Sequence, residues 1–426
     1  MNKKPELSDS PETTSPDGIR RKILSLIQDY FGALGAPVFV PGESFIPVSG
    51  KVLDASDLEY LVDSSLDLWL TSGRFTEKFE SLLAATIGVK RVMMTASGSA
   101  ANLLAFSALM SPSLANRIKP GSEVLTVAAA FPTTVAPIIQ NGCVPVFVDI
   151  DPATYNVRPD LLEAAVTKET RAIMLAHTLG NPFDLDQVRD IAKRHDLFLI
   201  EDCCDALGAT YGGRHVGTFG DAAIFSMELS KTLSCGWGGL LLVNNSALVA
   251  GMDKAYAGVP EQTIVQSTRD LVQTVMSTWC SHSRWVNFPG KYVMWLCWKI
   301  GLFRPSTPND EFKGIVAFDF LHKMGRAQTV LATFQWRRFT RLTQACSENH
   351  AHFARELQKL GYEVHVPKDA AIRPVANRVS FLVQDREKIL EYFRVRHIEL
   401  GVWFDGPLSP VPSATVFNYM SGFQAN

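Results

Sequence analysis

The chain has no excess of charge of either sign: 41 Lys and Arg face 43 Asp and Glu, for a net charge of −2 over 426 residues. That balance removes the electrostatic case for a nucleic-acid partner, because binding a phosphate backbone needs concentrated cations. Cysteine is sparse and unpatterned. Cys203 and Cys204 are adjacent, whereas Cys143, Cys235, Cys280, Cys297 and Cys346 are scattered. Neither metal-ligand spacing nor a disulfide framework is present, no metal is expected, and free thiols in a reducing compartment are the default. Long apolar runs are also missing. The segment Tyr292–Phe303 is too short and too interrupted to span a bilayer. No secretory signal opens the chain, since Met1 to Gly18 is polar and rich in Ser, Pro, Glu and Asp. Residues 1–18 are expected to be a disordered leader, and these absences together point to the cytoplasm.

What is present is enough chain for one large domain and a smaller one. Apolar strands are expected at Arg91–Thr95, Ser122–Ala130, Val144–Asp149, Arg171–His177 and Leu197–Ile200, the last ending at Glu201 and Asp202. Helical periodicity separates them at Pro159–Val166 and Leu185–Arg194, and precedes them at Ile19–Leu34, Asp54–Trp69 and Phe75–Ile87. Buried strands alternating with helices predict a mostly parallel sheet covered on both faces. Active groups of such a sheet belong at the carboxyl ends of its strands. Thr95 to Ser99, Phe131, His177 and Asp202 all fall there.

The stretch from Ile200 to Val243 organises the rest. A carboxylate, Asp202, ends an apolar strand; Lys231 follows between two short apolar runs, and Cys235-Gly-Trp237-Gly-Gly239 makes a glycine-rich turn. That order suits pyridoxal 5'-phosphate (PLP), whose ring nitrogen pairs with a carboxylate and whose aldehyde a lysine amine can hold. A catalytic lysine needs a desolvated setting, and the apolar neighbours are expected to supply one. Ser97-Gly98-Ser99, between a strand and a helix, fits the backbone cradle of a phosphate at a helix N-terminus. Each residue also has an ordinary reading. Most lysines are solvated, Ser-Gly-Ser is a common helix cap, Phe131 could be core, His177 a satisfied strand-end histidine and Asp202 a cap.

The segment Phe225-Ser226-Met-Glu-Leu-Ser-Lys231-Thr-Leu-Ser-Cys-Gly236-Trp237-Gly238-Gly239 resembles the PLP-lysine signature of the DegT/DnrJ/EryC1/StrS sugar aminotransferases, with Trp237 in place of a Glu. The resemblance implies a fold-type I PLP-dependent transferase, a large α/β domain with a mostly parallel sheet between helices plus a small C-terminal α+β domain. It implies that Lys231 and Asp202 are catalytic, that Gly98, Ser99 and Ser226 hold the cofactor phosphate, and that Phe131 stacks on its ring. Asp205 stands where most members carry a Gln facing the ring hydroxyl, Ser230 is a lesser candidate beside the lysine, and His177 is a candidate for substrate. The segments around Ser97, Ala130, Ala176 and Glu201 look most like the CDP-4-keto-6-deoxyglucose 3-dehydratases of that family. Those enzymes replace the lysine by His and carry an iron–sulfur cluster on four cysteines. Here Lys231 is present and, past Cys204, no cysteine lies between Cys235 and Cys280, too few ligands for a cluster.

Residues 19–250 are thus expected to form the N-terminal helices and the PLP-binding domain, 251–319 a helical insertion, and 320–426 the small domain. Trp279, Trp285, Trp295 and Trp298, half of the eight tryptophans, crowd the insertion between Val259 and Pro308, with Arg284, Lys291, Lys299 and Arg304 interleaved. A helical hairpin packed on the protein or on a second subunit accounts for that composition; so does a peripheral membrane contact. In the small domain strands are expected at Tyr362–Val366 and Arg378–Val383, and helices at Gly325–Leu342, Asn349–Leu360 and Arg386–Arg396. Leu321 replaces a family Asn, and the chain stops at Ser421–Asn426 where members continue into a final helix, so the domain is expected to be truncated.

The implied reaction moves an amino group, from glutamate, to a keto-deoxy sugar attached to a nucleotide, in lipopolysaccharide or related glycan synthesis, on a homodimer. A PLP-dependent sugar 3-dehydratase is the rival enzyme, and a non-catalytic regulator with the same fold is the rival from another class.

Overall fold

Short strands rich in Val, Leu, Ile and Ala build a seven-stranded sheet in this computed structural model, which describes residues 15–35, 38–47, 54–66, 74–112, 114, 117–280, 289–303, 320–367, 369 and 371–402. The strands are β1 (Arg91–Thr95), β2 (Glu123–Val127), β3 (Val144–Val148), β4 (Thr170–Ala176), β5 (Phe198–Asp202), β8 (Ala222–Ser226) and β9 (Gly239–Val243), in the spatial order β1-β9-β8-β5-β4-β2-β3. β3, β2, β4, β5 and β8 pair in parallel, and β9 alone runs antiparallel, between β8 and β1. The expected mostly parallel sheet is present. Every residue of β5, β8 and β9 is buried, as a sheet covered on both faces requires.

The covering helices follow from their apolar stripes. Phe79 and Leu83 of α3 (Arg74–Ile87), Val188 and Ile191 of α7 (Leu185–Arg194) and Leu331 of α11 (Arg326–Trp336) fill one face. Phe106 and Leu109 of α4 (Gly98–Leu109) and Leu248 and Met252 of α8 (Ser246–Ala257) fill the other. All of α4 except Ser99 and Ser107 is buried, which fits a helix apolar all round. Two further helices, α1 (Pro16–Leu34) and α2 (Ala55–Ser65), pack ahead of this core, and α5 (Pro132–Gln140) and α6 (Pro159–Ala164) link its strands. α2 is pinned to α11 and the following Arg338 through buried Asp57, which accepts from Gln335 Nε2 at 2.9 Å and Arg338 Nη1 at 3.1 Å.

Several expected boundaries move. α1 starts at Pro16, inside the stretch expected as a leader, where Ser15 Oγ accepts from Gly18 N at 3.0 Å; residues 1–14 lie outside the described residues. The helix expected from Gly325 to Leu342 divides at Arg337 and Arg338 into α11 and the long α12 (Phe339–Lys359), which absorbs the helix expected at Asn349. Tyr362–Val366 and Arg378–Val383 are not strands. Their alternation is real, but a strand exists only with a neighbour to bond. His365 Nδ1 instead pairs with Ala153 O and Asn377 Nδ2 donates to Ser230 O. Among the described residues beyond 320, the one strand is β10 (Ile372–Arg373), which joins the short β6 (Thr210–Tyr211) and β7 (Arg214–His215), and α13 (Arg386–Arg394) is the last described helix. The end of the helix expected at Asp54–Trp69, Arg284, Trp285, Arg304 and the segment Ser421–Asn426 lie outside the described residues.

One contact fixes how β1, β8, β9 and α4 meet. Gly239 pairs with both Thr95 and Ser226, and a Cβ on it would lie 2.1 Å from Ser97 O, the last residue before α4. Gly239→Ala is therefore expected to cost about 3 kcal/mol, the upper end of overpacking penalties. In urea denaturation the midpoint should fall at unchanged m.

Candidate active site

The carboxyl ends of β4, β5 and β8, the start of α4 and the loop from Met227 to Gly238 enclose a cavity of about 200 Å³. Lys231, Asp202, Asp205, Ser226, Gly98, Ser99, Phe131 and His177, all singled out in the sequence, line it together. The loop carrying Lys231 is folded on itself: Met227 N donates to Gly238 O, Cys235 N to Met227 O and Lys231 N to Glu228 O. Glu228 also takes the N–H and hydroxyl of Ser230 at 2.9 and 2.6 Å. Ser230 thus serves the loop.

At the base of the cavity Asp202 is held by three donors. Thr134 Oγ1 and Asn102 Nδ2 reach its Oδ2 at 2.8 and 3.1 Å, and Cys204 N reaches Oδ1 at 3.1 Å. A carboxylate offers about four acceptor positions, so one more donor, such as a ring N–H, can be accommodated. Thr134 and Asn102 were not singled out in the sequence; their signal was their place near the starts of two helices that follow strands.

The N-terminus of α4 faces the same space. Ser97 Oγ caps it, accepting from Ala100 N at 3.1 Å. A Cβ on Gly98 would stand 2.9 Å from Ser226 Cβ and 3.1 Å from Cys204 Sγ. Only glycine lets the helix start this close to β8. First-turn N–H groups, a serine hydroxyl and the helix dipole favour an anion there.

Lys231 departs from the expectation. In place of an apolar setting that would lower its pKa, its Nζ lies 2.8 Å from Asp205 Oδ1, with the two side chains 16% and 13% exposed. Burial pulls the ammonium pKa down, but Asp205 more than offsets this and holds it above the ordinary lysine value. Burial likewise pushes the Asp205 carboxyl up, while Lys231 and then Arg378, 3.8 Å away, bring it below the usual range. Arg378 comes from the segment expected as a strand and could not be placed by sequence. Trp237, standing where the resemblance has Glu, is a buried wall of the cavity.

His177 has both ring nitrogens engaged inside the protein. Nε2 pairs with Glu201 Oε2 at 3.1 Å, Nδ1 accepts from Phe183 N at 3.3 Å, and the ring stacks on Phe183. With its side chain fully buried and both ring nitrogens engaged, His177 has no free nitrogen to offer the cavity and serves the framework. Glu201, fully buried, also accepts from Gly217, Phe219 and Gly220 N. Burial pushes its carboxyl up, yet His177 and those N–H groups hold it below the usual glutamate range. Cys203 lies near both, but the Glu201 oxygens are already filled by donors.

A buried lysine amine, a carboxylate with one acceptor position to spare and an anion cradle only a glycine permits are the donor set that PLP needs. The profile of the DegT/DnrJ/EryC1/StrS aminotransferase family matches residues 52–273. The lipopolysaccharide biosynthesis protein RfbH of Salmonella typhimurium is 53% identical over 234 residues, 54% of this chain and 54% of its own. The dTDP-4-dehydro-2,6-dideoxy-D-glucose 3-dehydratase of Saccharopolyspora spinosa is 48% identical over 234 residues, 55% of this chain and 50% of its own. The chain thus spans about half the length of these relatives. Among solved structures, Helicobacter pylori PseC, an aminotransferase of pseudoaminic acid biosynthesis, matches with a TM-score of 0.66 at 21% identity, covering 90% of this chain and 89% of that one. That likeness shows the fold, the expected fold-type I α/β architecture.

Two expectations follow from these charges. Glu201 has a lowered folded pKa, so its stabilisation is present above the unfolded value near 4.3 and is lost as pH falls through the folded value. Glu201→Gln should cost roughly 3 kcal/mol at neutral pH and flatten the decline in thermal midpoint on acidification. In Asp205→Asn the group that raises Lys231 is gone. Its amine should then label faster with an acylating reagent at mildly alkaline pH than in the wild type, read by peptide mapping of the cofactor-free protein.

Proposed function

The chain belongs to the DegT/DnrJ/EryC1/StrS aminotransferase family, and from that premise we propose that it is a PLP-dependent aminotransferase. Its substrates are an amino acid, glutamate in our reading, and a keto-deoxy sugar attached to a nucleotide, within lipopolysaccharide or related surface-glycan synthesis. The observation that carries this reading is the convergence of Lys231 and Asp202 on one cavity floored by the N-terminus of α4. Glutamate would leave as its 2-oxo acid, and the sugar carbonyl would become an amine.

Gly98, Ser99 and Ser226 would bind the cofactor phosphate, and Phe131 would lie against its ring. Asp202, oriented by Thr134 and Asn102, would accept the ring N–H and keep that proton in place. PLP, once bound, supplies the electron sink that stabilises negative charge on the substrate carbon. Lys231 Nζ would be the amine that holds the cofactor's aldehyde, and its place in the cavity would let it move a proton at the substrate carbon. Asp205, 2.8 Å from that Nζ, would keep it positioned. Trp237 and Phe131 exclude water from the cavity side walls. We further read the enzyme as a cytoplasmic homodimer.

A second reading is a 3-dehydratase, which would release water from the hexose without net amino transfer. It is favoured by the 48% identity to a protein of that name. Purified protein with PLP should show an absorbance band that borohydride traps on Lys231 and that glutamate bleaches. Lys231→Ala should abolish trapping and lower turnover by roughly 10²–10⁴-fold. A dehydrated sugar product formed without incorporation of an amino group would move the assignment to the dehydratase, and a Lys231→Ala protein with full biological activity would exclude both.

A further inference from the structure

The helical insertion reverses the ordinary rule of burial. In α10 (Lys291–Lys299) Cys297 turns inward, and beyond the helix Phe303 does too. Tyr292, Trp295 and Trp298 face solvent at 61%, 59% and 62% exposure, joined by Leu296 and Ile300. Positions 292, 295, 296 and 299 repeat at i, i+3, i+4 and i+7 and so share one face, with Trp298 and Ile300 on its margins. The polar member of that face is Lys299, whose Nζ lies 4.8 Å from the Trp295 ring centroid. Beside it, α9 (Ile264–Cys280) exposes Val265, Val272 and Val275. Scattered exposed hydrophobes need no explanation, but a contiguous aromatic group marks an interaction surface.

Charge decides what the surface fits. Between Asp270 and Asp310 the sequence has no acidic residue and carries Arg284, Lys291, Lys299 and Arg304, in a chain whose total is −2. A second copy meeting this face about a two-fold axis would bring the same cations against themselves. An anionic headgroup layer accepts both features, since it attracts the cations and takes tryptophan and tyrosine rings at its boundary with the acyl chains. Spanning is excluded by length: the nine residues of α10 rise roughly 14 Å, less than half of a hydrocarbon core of about 30 Å. No helix among the described residues is long and apolar enough to cross a membrane.

We propose that the exposed aromatic face of α10, with Lys299 on it, is a docking face for an anionic lipid bilayer, with the helix lying in the interface plane. Trp295, Trp298 and Tyr292 enter at headgroup depth, and Lys299 reaches lipid phosphates. The proposal is independent of the reaction assigned to the cavity.

The test is co-sedimentation of the full chain with phosphatidylglycerol–phosphatidylethanolamine vesicles and with pure phosphatidylcholine vesicles, at low salt and at about 0.5 M salt, where screening is nearly complete. Binding is expected on the anionic vesicles, weakened by salt, with a blue shift of tryptophan emission. The Trp295→Ala/Trp298→Ala variant should bind at least about tenfold more weakly, and Lys299→Glu should bind weakly while keeping both rings. All three substituted side chains are exposed, and unchanged circular dichroism would show that the fold survives. Absence of vesicle binding, equal binding by the double variant, or equal binding to neutral vesicles would each overturn the proposal. So would a wild-type oligomer that the double variant dissociates, which would assign the face to a second copy.

Discussion

The closeness of three backbones at the start of α4 is the constraint on which the rest of the site depends. Gly239 lets β9 lie against the carbonyl of Ser97, and Gly98 lets the first turn of α4 lie against Ser226 and Cys204. With a methyl group at either position the helix N-terminus would have to withdraw from the strand ends. The anion cradle, the carboxylate of Asp202 and the loop of Lys231 would then no longer face one another across a single small cavity. Asp202 depends on the same arrangement, because one of its donors, Asn102, projects from the second turn of α4.

Three neighbouring acids in one short segment have been given three tasks by their surroundings. Glu201 is turned away from the cavity and saturated by backbone N–H groups and His177, so it clamps β5 to the turn before β8. Asp202 points into the cavity and is oriented by neutral donors, which fix its direction and leave it able to accept another proton-bearing group. Asp205 faces a cation, and the Lys231–Asp205–Arg378 grouping keeps a charged amine in place where an apolar pocket would have neutralised it. Arg378 and Asn377 come from more than 140 residues further along the chain than the loop of Lys231, so the site is completed by a segment distant in sequence.

The insertion follows other rules. The apolar residues of the sheet and its covering helices point inward, whereas in α10 Tyr292, Trp295, Leu296 and Trp298 point out and Cys297 turns in. Neither Trp295 nor Trp298 is buried by the described residues.

Strand and helix order, the parallel sheet and the residues at its carboxyl ends were legible in the sequence, because alternation of apolar runs and caps is a local property that survives folding. That Lys231, Asp202, Gly98, Ser99, Ser226 and Phe131 would lie near one another was legible from short motifs and from the family resemblance those motifs carry, and one cavity brings them together. What only the tertiary structure decided are the pairings across distance. The partners of Asp202, the ion pair that sets the charge of Lys231, and Arg378 beside them come from segments separated by many residues. His177 showed the same limit, since its local motif gave its position while the buried Glu201 and Phe183 determined what its nitrogens do. The two strands expected near the C-terminus failed because alternation reports a half-buried surface and not a bonding partner. A sequence specifies which groups a segment carries; which group meets which is fixed by the close approach of backbones that the fold alone brings about.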